Sequence, residues 1–401
     1  MARIIADTDF LPPQNDLKIR LNHAQQALVE AGGDAALITT DIHIYYLTGI
    51  VFSGYIYLPA EGEPLWFVQR PFGLKGEQVV NIRKPEDIPA LLHERNIHLP
   101  ENLFLETDQI THNDFLRLTT AFNPVGTGNM TALLRKVRMI KTPWEIEQFR
   151  LSTTKHAEVY RKVPLLFRKG MTEIAFQIEI EQVMRKAGSL GLFRTFGANM
   201  NIFMGSLLSG KNAGTPSPLD FALGGSGIHP FAPVGANNDL IAEGSTVMID
   251  FAGNYTPYCS DLSRVYSVGK LPEIAYRAHQ VSIAMHQWFV EEVKPGTACS
   301  DIYKRTLEWA EKSGFSAIFM GTSQQAKFVG HGVGLEINEP PVMMSRSKDS
   351  LQPGMVVAFE PKFVFPDIGA VGIENTYLVT DAGIEKLTVL EEEIIDLEGN
   401  F

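Results

Sequence analysis

Apolar residues recur at helical spacing from Asp16 to Gly32, where Leu17, Ile19, Leu21, Ala24, Ala27 and Leu28 alternate with charges. Gly32-Gly33 then stops the element. Ala35–Ile38 is a short, wholly apolar run of the kind a buried strand uses. Three further apolar strings follow, at Ile44–Gly49, Tyr55–Leu58 and Leu65–Val68. Helical patterns at Glu86–Arg95 and His112–Ala121 complete an alternating α/β order up to about residue 130.

The stretch Leu134–Lys141 is basic and reads as a connector. Thr142, Pro143 and Glu145 then form a capping box with proline at the first helical position, which predicts a helix through about Phe167. A second helix is predicted over Thr172–Ala187. Gly, Ser, Pro and Asn dominate from Phe193 to Gly235, predicting loops and short strands. A strand over Ser245–Tyr255, helices over Pro272–Val293 and Ser300–Ser313, and a run of strands over Val356–Val379 complete the pattern. Two domains are expected, 1–135 and 136–401, in a mixed α/β (α+β) chain.

Composition narrows the classes. The chain has 401 residues, with 35 Lys+Arg against 46 Asp+Glu and a formal charge of −11. That balance argues against a broad nucleic-acid footprint. No apolar run approaches the ~20 residues needed for a bilayer span, and the first residues lack the apolar core of a signal peptide. Only Cys259 and Cys299 occur, so no disulfide framework is implied and a reducing cytoplasm fits.

The chemistry concentrates in the second half. Val247–Gly253 places Asp250 near the end of an apolar strand, and Asp261 follows eleven residues later. A hairpin with a short turn would return the second acid beside the first. His331 lies among glycines in Gly330–Gly334, while Glu360 and Glu374 are each embedded in apolar strand. A buried acid without a partner costs several kcal/mol, and the nearby cations Lys362 and Arg264 could pair with only some of the four. Two divalent cations would balance four carboxylates. Oxygen-rich ligation with one nitrogen suits Mn(II), Co(II) or Fe(II) better than a thiolate-rich zinc site does, and two such ions could share and acidify a water.

These strings resemble the pita-bread metallohydrolases, a family that includes prolidase, aminopeptidase P, creatinase and methionine aminopeptidase. The match runs from about Lys136 to Leu397. The resemblance implies that Asp250 chelates one metal, that His331 and Glu360 hold the other, and that Asp261 and Glu374 bridge them. It also implies that Glu360 shuttles the proton of the attacking water. Two divalent ions per chain are implied, manganese first, with cobalt, iron or zinc open. The first domain, with Tyr46–Gly49, is similar to the creatinase/prolidase N-terminal domain, and such two-domain members are commonly homodimers.

The chain departs from the family pattern at three places. Val234, in Ala232–Gly235, stands where the peptidases carry a substrate-positioning histidine, and His229 could replace it only if the loop carries an insertion. Asn338 stands where they carry a second histidine. An amide there can donate a hydrogen bond to a carbonyl or oxyanion but cannot carry a proton. Gly372 stands where prolidases often have an arginine. Val234 and Asn338 are therefore the expected substrate-binding positions, with Glu360, Asn338 and His229 the catalytic candidates.

The leading expectation is an Xaa-Pro peptidase acting on short peptides. A hydrolase or lyase of a small creatine-like or other non-peptide substrate is the alternative, and a silent binding module is the third. Smaller features read as structural. Arg264 is expected to bond neighbouring carboxylates, Phe193, Phe196, Met200, Phe203 and Met204 to be core, and Gly224–Gly227 to be a loop bordering the cleft.

Overall fold

The computed structural model describes residues 11–197, 204–219 and 221–399. The chain divides between Arg138 and Met139 into two compact units. The division falls beyond the expected 135/136 boundary because the basic connector begins as a helix. Met130–Val137 is capped by Asn129, whose Oδ1 accepts the Thr131 N–H, and Arg135 and Lys136 occupy its last turn, where cations suit the helix C-terminus.

The first unit is a six-stranded mixed sheet with helices. Its strands are β1 (Ala35–Ile38), β2 (Ser53–Pro59), β3 (Leu65–Arg70), β4 (Val79–Asn81), β5 (Asn102–Leu105) and β6 (Gly126–Asn129), in the order β4-β3-β2-β1-β5-β6. Leu37, Phe67, Leu103 and Leu105 form part of its core. The apolar string after β1 is helical, Asp41–Thr48, and ends at Gly49 with φ 76°.

Just after β1 the backbone meets a buried carboxylate. The Glu106 carboxylate, with no exposed surface, contacts His43 Nδ1 and accepts the backbone N–H of Thr39 at 2.5 Å and of Thr40 at 2.7 Å. The Thr40 hydroxyl adds a further bond at 2.6 Å.

The second unit opens with the capping box: Thr142 Oγ1 accepts the Glu145 N–H, and Glu145 Oε2 accepts the Thr142 N–H. That helix ends at Tyr160, before Pro164, rather than continuing to Phe167. Helices Glu173–Lys186, Glu273–Glu292 and Cys299–Lys312 match the periodic segments.

Its main strands are β7 (Gly205–Ser209), β8 (Thr246–Gly253), β9 (Ser260–Ser267), β10 (Phe328–Gly332), β11 (Glu339–Met344), β12 (Val356–Phe359), β13 (Lys362–Phe365), β14 (Gly369–Gly372), β15 (Asn375–Val379), β16 (Ile384–Lys386) and β17 (Ile395–Asp396). They form sheets of order β17-β9-β8-β7 and β11-β10-β12-β15-β16, with β13 and β14 as a separate hairpin. Helix Glu273–Glu292 packs on β13 and β14, and its Phe289 stacks on Phe359 with ring centroids 4.6 Å apart. Among the described residues, no helix is long and apolar enough to cross a membrane.

Candidate metal centre

Strands β8 and β9 pair antiparallel, with Ala252 opposite Asp261 and Asp250 opposite Ser263. The two aspartates are thus diagonal neighbours on one face of the hairpin. Asp261 is locked by Thr376, whose Oγ1 accepts the Asp261 N–H and donates to the Asp261 carbonyl, both at 2.9 Å. Its Oδ1 accepts the Leu262 N–H, which leaves Oδ2 to face the cavity side.

The second sheet brings the imidazole to the acids. Strand β10 pairs with β12 so that His331 lies opposite Ala358, and Glu360 follows directly after β12 with its N–H on the Val329 carbonyl. Glu374 joins β14 to β15. Its N–H bonds the Ser263 carbonyl, and its Oε2 accepts the Ser263 hydroxyl at 2.6 Å.

His331 Nδ1 lies 3.1 Å from the Gly332 carbonyl, which can only accept, so Nδ1 is the donor there and Nε2 is the nitrogen turned to the acids. Nε2 lies 3.5 Å from Glu360 Oε1 and 3.7 Å from Asp261 Oδ2. Ligand atoms of Asp261, His331 and Glu374 lie within 4.8 Å of one another, as do those of Asp250, Glu360 and Glu374. Electron-pair donors so gathered, at distances too long for hydrogen bonds to His331, suit a divalent cation with oxygen and nitrogen ligands.

The feature that sequence reasoning undervalued is Lys362. Its side chain is fully buried, and Nζ donates to Asp250 Oδ2 at 2.8 Å, Glu360 Oε2 at 2.7 Å and Glu374 Oε2 at 3.3 Å. Burial pushes the ammonium towards losing its proton, but these three carboxylates outweigh it and hold its pKa well above the ordinary lysine range. Asp261 and Glu374 are pushed well above the usual carboxylate range, first by burial and then by neighbouring acids, against the opposing pull of Lys362. One ammonium therefore does not compensate four carboxylates.

A cavity opens on this cluster. Asp250, Asp261, His331, Glu360 and Glu374 line it together with Val234, Asn338, Phe221, Leu223, Phe328 and Ile337. Val234 is a buried wall residue. Asn338 reaches the cavity, but its amide is engaged. Its Oδ1 accepts the Phe196 N–H at 2.8 Å and its Nδ2 donates to the Phe196 carbonyl at 3.1 Å. These two bonds hold the Asn338 amide, the expected donor to a carbonyl or oxyanion, at the cavity edge.

His229 lies apart from this cavity. It is exposed on a local turn, its Nδ1 accepts the Phe231 N–H at 3.0 Å, and it is not among the residues lining the cavity.

Arg264 bonds the carbonyls of Ser263, Glu374, Leu390 and Glu391 and the Asn375 side chain, rather than carboxylates. Phe193 and Met204 are buried, with Met204 also lining the cavity, whereas Met200 and Phe203 lie outside the described residues. A further buried ion pair, Lys141 Nζ to Glu339 Oε2 at 3.2 Å, ties the start of the second unit to the strand beside His331.

The family model for metallopeptidase family M24 matches residues 147–381, more than half of the chain and the whole of the acid–imidazole cluster. The chain belongs to metallopeptidase family M24. A second match, to the creatinase/prolidase N-terminal domain, covers residues 20–140. An uncharacterized peptidase of Bacillus subtilis, YqhT, is 24% identical over 391 residues, covering 94% of this chain and 100% of that protein. The Xaa-Pro dipeptidase of Pyrococcus furiosus is 24% identical over 385 residues, with the same coverage.

Among solved structures, an Xaa-Pro dipeptidase from Bacillus anthracis superposes with a TM-score of 0.79 at 24% identity, covering 94% of this chain and 99% of that one. An X-Pro aminopeptidase from Thermotoga maritima gives 0.77 at 21%, with the same coverage of both chains. This M24 chain is a hydrolase of the metallopeptidase type, with a creatinase-like N-terminal domain and a pita-bread catalytic domain.

Proposed function

We propose that this M24 chain cleaves Xaa-Pro bonds of short peptides. The observation that carries the reading is the convergence of His331 Nε2, Asp261 Oδ2, Glu360 Oε1 and Glu374 in one cavity that Val234, Phe221, Leu223, Phe328 and Ile337 line with apolar surface. Asp261, His331, Glu360 and Glu374 would hold a divalent ion, manganese first, and that ion would acidify water and polarise a carbonyl.

The chain's own groups supply the rest. Glu360 Oε2 is tied to Lys362, so Oε1 is the oxygen that would meet the ion, and its second lone pair would take a proton from a nucleophile and return it to a leaving amine. Val234, Phe221, Leu223, Phe328 and Ile337 offer apolar surface of the kind a proline ring fills, and they exclude water around the reacting bond. Asn338 holds the Phe196 segment at the cavity edge. A homodimer and a cytoplasmic location belong to the same proposal. The family resemblance supports the dimer, and two buried, unpaired cysteines support the compartment.

A specific observation favours a second reading. The positions of both peptidase histidines are filled by groups that cannot transfer a proton: Val234 is apolar, and the Asn338 amide is occupied by backbone. These positions favour a hydrolase or lyase of a small creatine-like or other non-peptide substrate as that second reading.

Metal-reconstituted protein should hydrolyse an Ala-Pro dipeptide or an Ala-Pro-Ala tripeptide, and Asp261→Asn should abolish turnover. Bound metal without turnover of either peptide would discard the peptidase reading in favour of the second.

A further inference from the structure

The family resemblance implies two cations per chain. The geometry points instead to a single-cation centre, in which the Lys362 ammonium permanently fills the place of the second. We infer this from two sets of oxygens that share Glu374.

Asp250, Glu360 and Glu374 have ligand atoms close enough to hold a metal, and they are the same three residues that receive Lys362 Nζ. A second divalent ion on these oxygens would sit within hydrogen-bond distance of Nζ, so two positive centres would compete for one set of lone pairs. The remaining atoms, His331 Nε2, Asp261 Oδ2 and Glu360 Oε1, receive no hydrogen from Lys362 and face one another at 3.5 and 3.7 Å. With Glu374, they make one complete oxygen-and-nitrogen ligand set.

Lys362 cannot simply swing away. It begins β13, lies opposite Gly372 across the hairpin, and its carbonyl accepts the Met320 N–H at 2.8 Å. Its side chain has no exposed surface, so leaving the acids would strand a charge in the core. Asp250 becomes a partner of the ammonium rather than a metal ligand. It is also the most exposed of the acids around Nζ, with 24% of its side chain accessible.

This inference rests on the metal-dependent reading above, and metal counting separates the two. Stripped protein is equilibrated with excess Mn2+, and bound metal per chain is read by elemental analysis, with the EPR spectrum distinguishing isolated from coupled ions. One equivalent of isolated Mn2+ is expected. Asp250→Asn should keep that equivalent with its dissociation constant changed by no more than about threefold, whereas His331→Ala should weaken it on the order of a hundredfold. Lys362→Ala, where it folds, should take up a second equivalent.

Two coupled ions in the unmodified protein would overturn the single-cation centre and leave the metallopeptidase reading standing. Loss of metal in Asp250→Asn comparable to that in His331→Ala would also overturn it. Absence of any bound metal would overturn both.

Discussion

Lys362 and Gly372 lie directly opposite one another across the β13–β14 hairpin, and the glycine leaves the room that the lysine backbone occupies. A Cβ on Gly372 would fall 2.6 Å from the Pro361 carbonyl oxygen and 3.0 Å from the Lys362 Cα, at a backbone φ of +123°. The arginine often found here in prolidases therefore has no place in this chain. The buried cation at this end of the hairpin is supplied from the opposite strand.

Gly372→Ala should destabilise the second unit by about 1–3 kcal/mol, since both the positive φ and the contact are unfavourable for a side chain. Denaturant unfolding of the full chain measures this. A change within a few tenths of a kcal/mol would show that the hairpin can yield.

Asn338 holds Phe196 and carries no mobile proton. Asn338→Ala should therefore raise KM while lowering kcat by less than about tenfold, whereas loss of a true proton donor costs ~10²–10⁴-fold. Steady-state kinetics on whichever substrate the enzyme turns over decide the point. A kcat fall of the larger size would make Asn338 a participant in the chemistry.

Two buried histidines should give the second unit an acid-sensitive limb. His279 Nδ1 accepts the Gly372 N–H at 3.1 Å while its Nε2–H donates to the Glu392 carbonyl at 2.7 Å. His286 Nε2–H donates to the Ile373 carbonyl at 3.0 Å while its Nδ1 accepts the Tyr377 hydroxyl at 2.7 Å. Burial pushes His279 down to about 4 and His286 down to about 3, from an ordinary value of 6.5. The unfolded chain binds these protons first, so stability should fall as pH drops below 6.5 and continue falling towards the folded values. In metal-stripped protein, His286→Gln should remove about one proton from that dependence, ~1.4 kcal/mol per pH unit. An unchanged slope would exclude His286 as a source.

Glu106 has the opposite sign. Burial raises its pKa, but His43, Thr40 and the Thr39 N–H together outweigh burial and hold it below the usual carboxylate value of 4.5. Its contribution is therefore present above pH 4.5 and lost as pH falls through the folded value. Glu106→Gln sets an amide NH2 against two of the four donors now held by the carboxylate and should destabilise the first unit by about 3–5 kcal/mol near neutral pH. The deficit should shrink in acid. Hydrogen exchange at Leu37 and Ile38 reports the unit locally, and a pH-independent deficit would contradict the ionised reading.

Much of the fold was legible in local pattern. The capping box at Thr142–Glu145, the periodic helices, the apolar strand carrying Asp250 and the strands that flank Glu360 and Glu374 all form close to where spacing places them. The string Ile44–Gly49 illustrates the limit, because an apolar run of six residues satisfies helix and strand alike. The candidate ligands were legible for a different reason: an acid inside apolar strand announces an unpaid desolvation cost wherever it occurs.

The sequence by itself determined which residues bear charge in the core, the two-domain order, and the family strings around Asp250, Asp261, His331, Glu360 and Glu374. Only the tertiary structure decided how those charges pair. Lys362 and Arg264 each lie within three residues of a cluster acid in the chain, yet Lys362 enters the cluster while Arg264 turns to backbone carbonyls. Likewise His229 remains on an exposed turn and Asn338 closes on Phe196, 142 residues away. Pairing is set by strand register and side-chain direction across sheets, and neither is encoded within the span of any single motif.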